Sequence, residues 1–579
     1  MKRALSALFA LGLTASALPA SALPGFYAGK GSEKRIVRST HIVVMNRGDA
    51  SAITIMPDYE GPLTPFALVM AVPADVVTDR VKTLKREFMD RVENLTAPRF
   101  HEFWEMDPCE PGKPEQYWEQ KFSASSDTDF LGGPKIGDPT KKVAKELFIQ
   151  TDADFKEGEY GYSILDETQS QDVVGYLSSK GYTAPAGAAA ALKPYLDKGM
   201  KILVAEVDSK RIELAGGDYA ILSPIRYWSE KPVTTLPLKL GLLSGDGKQE
   251  TFVYTFDPKS RYSVKNYENL FAPTNLTVDF VAKERMGELY TAMHDLSLAK
   301  NPKGVLVEYA WPSEGCGEPC QNERMLPHEL MSLGGDVFEQ FVPEEEREPE
   351  PPPLTEEEEK IHDAKKKELK GKEKKEYEKT FEEERKIVAK KKALIARNKY
   401  IVTRLHHRYD ADNLPEDFVL APAAAVEGGA GIPQGENHEI SSEVKQAKEN
   451  KLQVRYNFFH PWKGMMKCEK PVRHRWGKPP RTYRGLRKIW VAVDLARKNR
   501  KQIVPTKVVQ TAVPSLGLEA AAVGAVDAGP ADAGAGDGAE KKKSCGCRAV
   551  GAPVSSSDAT FALGALALLV GRRRRRRER

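Results

Sequence analysis

From Arg35 to Val72 the apolar positions fall at strand spacing. RIVRSTHIVVMNRGDASAITIMPDYEG holds two β-rich runs separated by Asn46-Arg47-Gly48-Asp49, and Ser51 to Met56 alternates with period two. Two such runs around a polar, glycine-containing gap predict a hairpin. FALVMAVPADVV, from Phe66, stays apolar until Pro73, the pattern of a buried strand. At Asp79 the period changes. Val81, Leu84, Phe88, Val92 and Leu95 recur three or four residues apart, which predicts an amphipathic helix.

Strand and helix patterns alternate beyond Val143. GYSILDETQSQDVVGYLSSKGY reads as strand, loop and helix, and KILVAEVD and YAILSPIRYW read as strands. VTTLPLKLGLLSGDGKQETFVYTF reads as a hairpin turning at Gly245-Asp246-Gly247. YIVTRLHHRYD sets Ile401, Thr403, Leu405 and His407 against Val402, Arg404, His406 and Arg408, and LQVRYNFFHPW and RKIWVAVD are further strands. The expected fold class is α+β, a mostly antiparallel sheet with packed helices.

Two stretches break this pattern. Residues 343–399 open with PEEEREPEPPPLTEEEEK and continue as a Lys/Glu-rich run. Many opposite charges lie four residues apart, which predicts an exposed helix or helical hairpin inserted into the domain, and large apolar residues are too sparse for a coiled-coil seam. Residues 506–544 turn to Ala, Gly, Val and Asp, the composition of a flexible linker. The expected organisation is a leader at 1–22, a domain in two parts at 23–342 and 400–505 around the insertion at 343–399, the linker, and a C-terminal segment at 545–579. The net charge of the 579 residues is +5, which the terminal arginines account for. The body is close to neutral, so its charge gives no argument for nucleic acid as a partner.

Both ends carry addresses. Lys2 and Arg3, the apolar stretch Ala4 to Leu18, and Ala20-Ser21-Ala22 form, in order, the three parts of a secretory signal read by Sec-type export machinery, with cleavage after Ala22. Export alters the meaning of the six cysteines. In an oxidising compartment Cys109, Cys316, Cys320 and Cys468 form disulfides, with three pairings open. The spacing of Cys316 and Cys320 also fits half of a zinc site, but the mature body has no second such pair. The aromatics of HEFWEMDPCEPGKPEQYWEQKF are expected to pack beside a disulfide at Cys109. At the C-terminus, Cys545-Gly546-Cys547 precedes an apolar stretch at 559–571 and the arginines Arg572 to Arg577. As a helix that stretch rises about 20 Å against a hydrocarbon core of about 30 Å, a marginal span held with arginines in the cytoplasm. It reads as a transient stop or a permanent anchor.

The chain has no Gly-x-Ser-x-Gly elbow, His-Glu-x-x-His or phosphate-binding loop. His406 and His407 point to opposite faces of their strand, so at most one faces a site. His460, Cys468 and His474 lie close in sequence at a spacing that fits no known metal or nucleophile site. Asp58 and Glu60 precede Gly61-Pro62 and read as a solvated turn. No catalytic residue, metal or cofactor is expected.

Two resemblances follow from ordered blocks. GFY at Gly25, PDYEGPLTPFALVMAVP, VKTL, SSKGYTAPAG, LKPYLDKGMKILVAEVD, LSPIRY, LPLKLGLLS, RYSVKNYENLFAPTN, TRLHHRYD with PEDFVL, and QVRY…HPW with Cys468 resemble a bacterial family known as domain of unknown function 2330 (DUF 2330). The resemblance implies an exported protein and assigns no activity. The chain departs from the family at Pro24, where a cysteine is usual, and in the three-residue gap Gly317-Glu318-Pro319, so cysteine pairings are not carried over. The tail resembles the myxobacterial C-terminal sorting signal (MYXO-CTERM). That resemblance implies a myxobacterial or related source, cleavage by a myxosortase-like membrane protease, and a lipid or membrane anchor near Cys545 or Cys547. The expected protein is exported and attached to the cell envelope as a structural or binding module. The alternative is an extracytoplasmic hydrolase using Cys/His or a metal.

Overall fold

The N-terminal hairpin forms as its pattern predicts. Ser39–Arg47 pairs antiparallel with Ala50–Glu60 across Gly48-Asp49, and Gly48 takes the left-handed conformation the turn requires (φ +60°). The computed structural model describes residues 23–31, 33–110, 158–315, 324–477 and 503–518, all within the unit Met1–Gly524.

Four sheets form among the described residues. The central path of the largest, of 13 strands, runs from Val305–Pro312 through Ile401–Tyr409 and Gln249–Asp257 to the N-terminal hairpin. Gln249–Asp257 lies antiparallel to Ile401–Tyr409 but parallel to Ser39–Arg47. The class is therefore α+β, but the sheets are mixed rather than mostly antiparallel. The second sheet, Gly25–Gly29, Phe66–Val72, Lys201–Val207 and Tyr160–Ile164, is antiparallel throughout.

Both faces of the large sheet are buried, and the period of two assigns each residue its side. Ile42, Val44, Val253, Leu405 and Tyr409 enter one apolar core together with Leu68 and Leu203 of the second sheet. Val43, Met45, Phe252, Tyr254 and Val402 enter another, covered by Phe88, Met89, Val92 and Leu95 of the helix Arg86–Thr96. A third core gathers around the helix Met286–Ser297.

Three readings of the pattern change in the fold. The helix expected from Asp79 begins only at Arg86, because Val81–Thr83 forms a short strand beside Ile225–Tyr227. Its β-branched residues suit that ladder, and the helical spacing of Val81 and Leu84 is coincidental. The hairpin expected at Gly245-Asp246-Gly247 does not form. Thr235–Leu236 pairs with Phe418 and Val419 instead, and a 3₁₀ segment follows over Leu238–Ser244. Pro237 has no N–H with which to continue a ladder, and the tighter turn buries Leu238 and Leu240. At the C-terminal side, packing continues past the expected start of the linker at 506. Val508, Val509, Val513 and Leu518 are buried in the third core, and Val509 bridges to Val278. RKIWVAVD lies outside the described residues.

Within the charged segment, Glu356–Glu368 and Gly371–Arg397 are helices folded against each other. His362 stacks on Phe381 at 3.9 Å, and Lys366 pairs with Glu378 at 3.1 Å. Phe381, only 4% exposed, anchors a hairpin that is otherwise mostly solvated.

Gly334 packs directly onto the large sheet, against Ala52 and Met45. It has φ +155°, and a Cβ there would come within 2.5 Å of the Ala52 side chain. Gly334→Ala is expected to lower unfolding stability by about 1–3 kcal/mol through overpacking, measured by urea denaturation. An unchanged midpoint would show that the contact relaxes freely.

Candidate functional site

The strand Ile401–Tyr409 puts Arg404, His406 and Arg408 on one face, and that face meets carboxylates from four other elements. Arg404 is fully buried. Its Nε donates to Glu308 at 2.7 Å, and its Nη1 donates to Glu93 of the helix Arg86–Thr96 and to the Tyr254 hydroxyl. His406 lies between two carboxylates, with Nε2 2.7 Å from Glu250 and Nδ1 3.1 Å from Glu308. Arg408 continues the series to Glu250 at 3.0 Å and Asp295 at 2.6 Å. Tyr290 donates to Glu308 at 2.7 Å, and the His41 Nδ1 lies 2.8 Å from the Tyr254 hydroxyl.

Burial and charge oppose each other along this ladder, and the outcome differs by residue. Burial alone would depress His406, but Glu308 and Glu250 prevail and raise it, favouring its protonated form. Burial pushes Glu308 up, yet His406 and Arg404 bring it down to about 2. Glu93 is also lowered, with Arg404 overcoming its desolvation. His41 is governed by burial, which pushes it down to about 4 and leaves it neutral. The composition is that of an acid–base centre, but the geometry is structural, because the cations and carboxylates are engaged with one another. The adjoining void, lined by Tyr290, His294, Ser297 and Glu308, measures about 10 Å³, about what one water needs. His407, on the opposite face, bonds the Gly304 carbonyl at 2.9 Å, and burial drives it down to about 3.

An open cleft of about 320 Å³ lies elsewhere, between the strand Gly25–Gly29 with Gly31 and residues 33–36, the loop 183–186, and the end of the 3₁₀ segment at 243–245. Its walls are tied together. Gly29 and Thr183 exchange backbone bonds of 3.2 and 2.8 Å, and Ser244 accepts from the Tyr27 and Val37 N–H groups. Arg35 is 7% exposed on this wall. It donates to the carbonyls of Glu33 and Lys30 and to the Thr64 hydroxyl, and its Nε has no partner among the described residues.

The candidates singled out in the sequence separate in space. Cys109 and Cys468 form a disulfide across 359 residues of chain. Cys316, Cys320, Cys545, Gly546, Cys547, Ala20 and Ala22 lie outside the described residues. His460 stacks on Trp104 at 3.9 Å, whereas the His474 backbone is held by Glu105, so neither joins Cys468 in a site. Among the described residues no three His, Cys, Asp or Glu side chains converge to hold a metal. Glu105 also accepts from Arg473 and the Trp462 N–H, which together draw it down to about 2 against its burial. It and the disulfide hold the loop between Trp462 and His474.

Asp58 and Glu60 are not on a solvated turn. They are strand residues, 3% and 6% exposed. Asp58 accepts from the Arg38 N–H and from Tyr219, and burial raises it to about 7; Glu60 pairs with Arg38 at 2.8 Å. Ile36 exchanges both backbone bonds with Glu60, and on the other side Tyr219 lies opposite Glu60 while the Gly61 N–H donates to the Asp218 carbonyl, so the strand's end is taken out of solvent. The unforeseen features, the acidic half of the ladder and the Arg35 cleft, carry no local motif.

Arg404→Met leaves Glu93 buried without its cation and Glu308 with His406 alone. The expected loss is about 3–5 kcal/mol in urea unfolding, and a loss under about 1 kcal/mol would show the ladder to be dispensable. His41 sets an acid response. Between about pH 4 and its unfolded value of 6.5 the unfolded chain binds a proton that the folded chain does not, so its contribution falls as pH falls through that window. Relative to His41→Gln, the wild type should lose on the order of 3 kcal/mol between pH 7 and pH 4. Parallel stability curves for the two proteins would contradict this.

Comparison with known proteins supplies the context. No curated protein matches the chain. Among solved structures, that of baculovirus P35 is similar over 40% of this chain and 68% of its own, at 11% identity and a TM-score of 0.19, too slight a likeness to carry an argument. The family described as "Uncharacterized protein conserved in bacteria (DUF2330)" matches residues 18–421, which include the hairpin, the Arg35 cleft and the strand that bears Arg404 and His406. The chain belongs to this DUF2330 family.

Proposed function

We propose that the protein is exported by Sec-type machinery and displayed at the cell envelope, where its folded body acts as a binding module. The tail is a myxobacterial-type sorting signal. A myxosortase-like membrane protease cuts it near Cys545-Gly546-Cys547, and a lipid or membrane anchor retains the body at the outer membrane or cell surface. The inner-membrane form is an intermediate. The observation that carries this reading is the Cys109–Cys468 disulfide, since a bridge of this kind persists in oxidising compartments outside the cytoplasm. The order of small, apolar and basic residues at both chain ends supports it independently. Among the described residues no helix is long and apolar enough to cross a membrane, and the stretch 559–571 lies outside them.

A binding role fits better than the rival hydrolase. Cys468 is bonded to Cys109, so its sulfur is not available as a nucleophile, and the buried histidine-carboxylate ladder is closed on itself. The cleft beside Arg35, by contrast, is open.

Mass spectrometry of the protein from its native cell is the test. The expected mature chain begins near Leu23, ends near Cys545 or Cys547 with or without an added lipid, and carries the Cys109–Cys468 bridge. A chain that keeps Arg572 to Arg577 would overturn the sorting step. A cytosolic chain with both ends uncut and its thiols reduced would overturn export itself.

A further inference from the structure

We propose that the cleft beside Arg35 binds a small organic acid, a carboxylate carried on an apolar body. This deepens the reading of the protein as a binding module and rests on it.

The charge of Arg35 is the first argument. A buried cation is costly unless an anion accompanies it. Arg38, three residues on, has Glu60 at 2.8 Å. Arg35 has no carboxylate within 4 Å among the described residues; two carbonyls, the Thr64 hydroxyl and the Tyr59 phenol meet it, all neutral. The nearby Tyr59 phenol does not supply the missing charge, because burial raises it to about 12 and keeps it protonated. Arg261 also lacks a carboxylate, but it is braced over the Phe271 ring, whereas Arg35 forms part of the wall of an open cleft.

The second argument is preorganisation. A Cβ at residue 29 would fall on the Arg35 guanidinium, so the group lies flat against the Gly29 backbone and is fixed there before any ligand arrives. The third is the remaining lining. Ile36, Ala184, Pro185 and Leu243 offer an apolar wall; Lys34 at the mouth, its side chain 70% exposed, is already paired with Asp246 at 3.6 Å and leaves Arg35 to supply the charge. Glu33 and Asp246 at the rim are solvated and disfavour ligands with several negative charges. The volume of about 320 Å³ is at the small end of ligand sites. One carboxylate on a compact apolar body matches each of these features.

The test uses the mature, disulfide-intact protein, titrated with hexanoate, hexan-1-ol, hexylamine and inorganic phosphate at constant ionic strength. Calorimetry and thermal shift are the readouts. Hexanoate is expected to bind saturably and raise the melting midpoint, at least tenfold more tightly than the other three probes. Arg35→Gln should weaken hexanoate at least tenfold. Ala186→Trp, at an exposed position on the cleft wall, should abolish binding while melting like the wild type, which guards against an Arg35 variant that folds poorly. Hexanoate binding no better than hexan-1-ol, hexylamine or phosphate would overturn the proposal, as would binding untouched by Ala186→Trp. Saturable binding by a chain that proves cytosolic would sink the export reading and leave the cleft standing; an exported chain that ignores hexanoate would do the reverse.

Discussion

The guanidinium of Arg404 is the constraint around which this fold is organised. It lies in the middle of the large sheet, shut off from solvent, and joins Glu93 on a covering helix to Glu308 on the neighbouring strand. A charge in that position is tolerable only if its partners arrive together, since each alone would be a buried ion without compensation. The helix Arg86–Thr96 must therefore dock in one register, with Glu93 over the sheet while Phe88, Met89, Val92 and Leu95 fill the apolar remainder of the same face. Apolar packing supplies most of the stabilisation there, and the charge ladder selects which packing arrangement is used.

The same logic explains why the ladder extends along the strand. His406 and Arg408 follow Arg404 on the same face, and Glu250 serves both. Glu308 in turn serves Arg404 and His406. Each shared carboxylate couples neighbouring cations, so losing one partner disturbs several. On the opposite face Leu405 and Tyr409 enter an apolar core, and His407 is kept neutral by burial. A one-residue slip of this strand would exchange the two faces, placing Arg404 and His406 among aliphatic side chains. The ladder thus fixes sheet register as well as helix docking. The disulfide does comparable work by covalent means at the Trp462–His474 loop, where little regular structure exists to hold the chain.

Half of this arrangement is legible in the amino-acid sequence. The alternation in YIVTRLHHRYD places the basic residues on one side of a strand. The carboxylates that complete the site are not legible, because they come from 96 to 311 residues away and each looks like an ordinary acidic residue in its own segment. The fold class and most strands follow from periodicity. The failures have local causes. Val81 fits a helical spacing but is claimed by a ladder with Tyr227, and Pro237 diverts a β-rich run into a 3₁₀ turn. Asp58 and Glu60 stand before Gly61-Pro62, a turn signal that is correct about the chain's direction and silent about the strand at Tyr219–Ile221 that covers them. Arg35 reads as one more charge in GSEKR; only the folded chain shows that it is buried and Lys34 is not.

The contrast between Arg404 and Arg35 separates structure from function in this protein. Both are buried guanidinium groups, and both are fixed by several hydrogen bonds. Arg404 has its counter-ions supplied by the chain, so its charge is consumed in holding elements together, and opening that site to a ligand would cost the fold its register. Arg35 is fixed by neutral oxygens, its charge is left over, and the space beside it is open. A charge satisfied internally offers little to a ligand, whereas one held in place without compensation gains by acquiring an anion. The cleft, rather than the more chemically suggestive ladder, is therefore where recognition by this protein is to be sought.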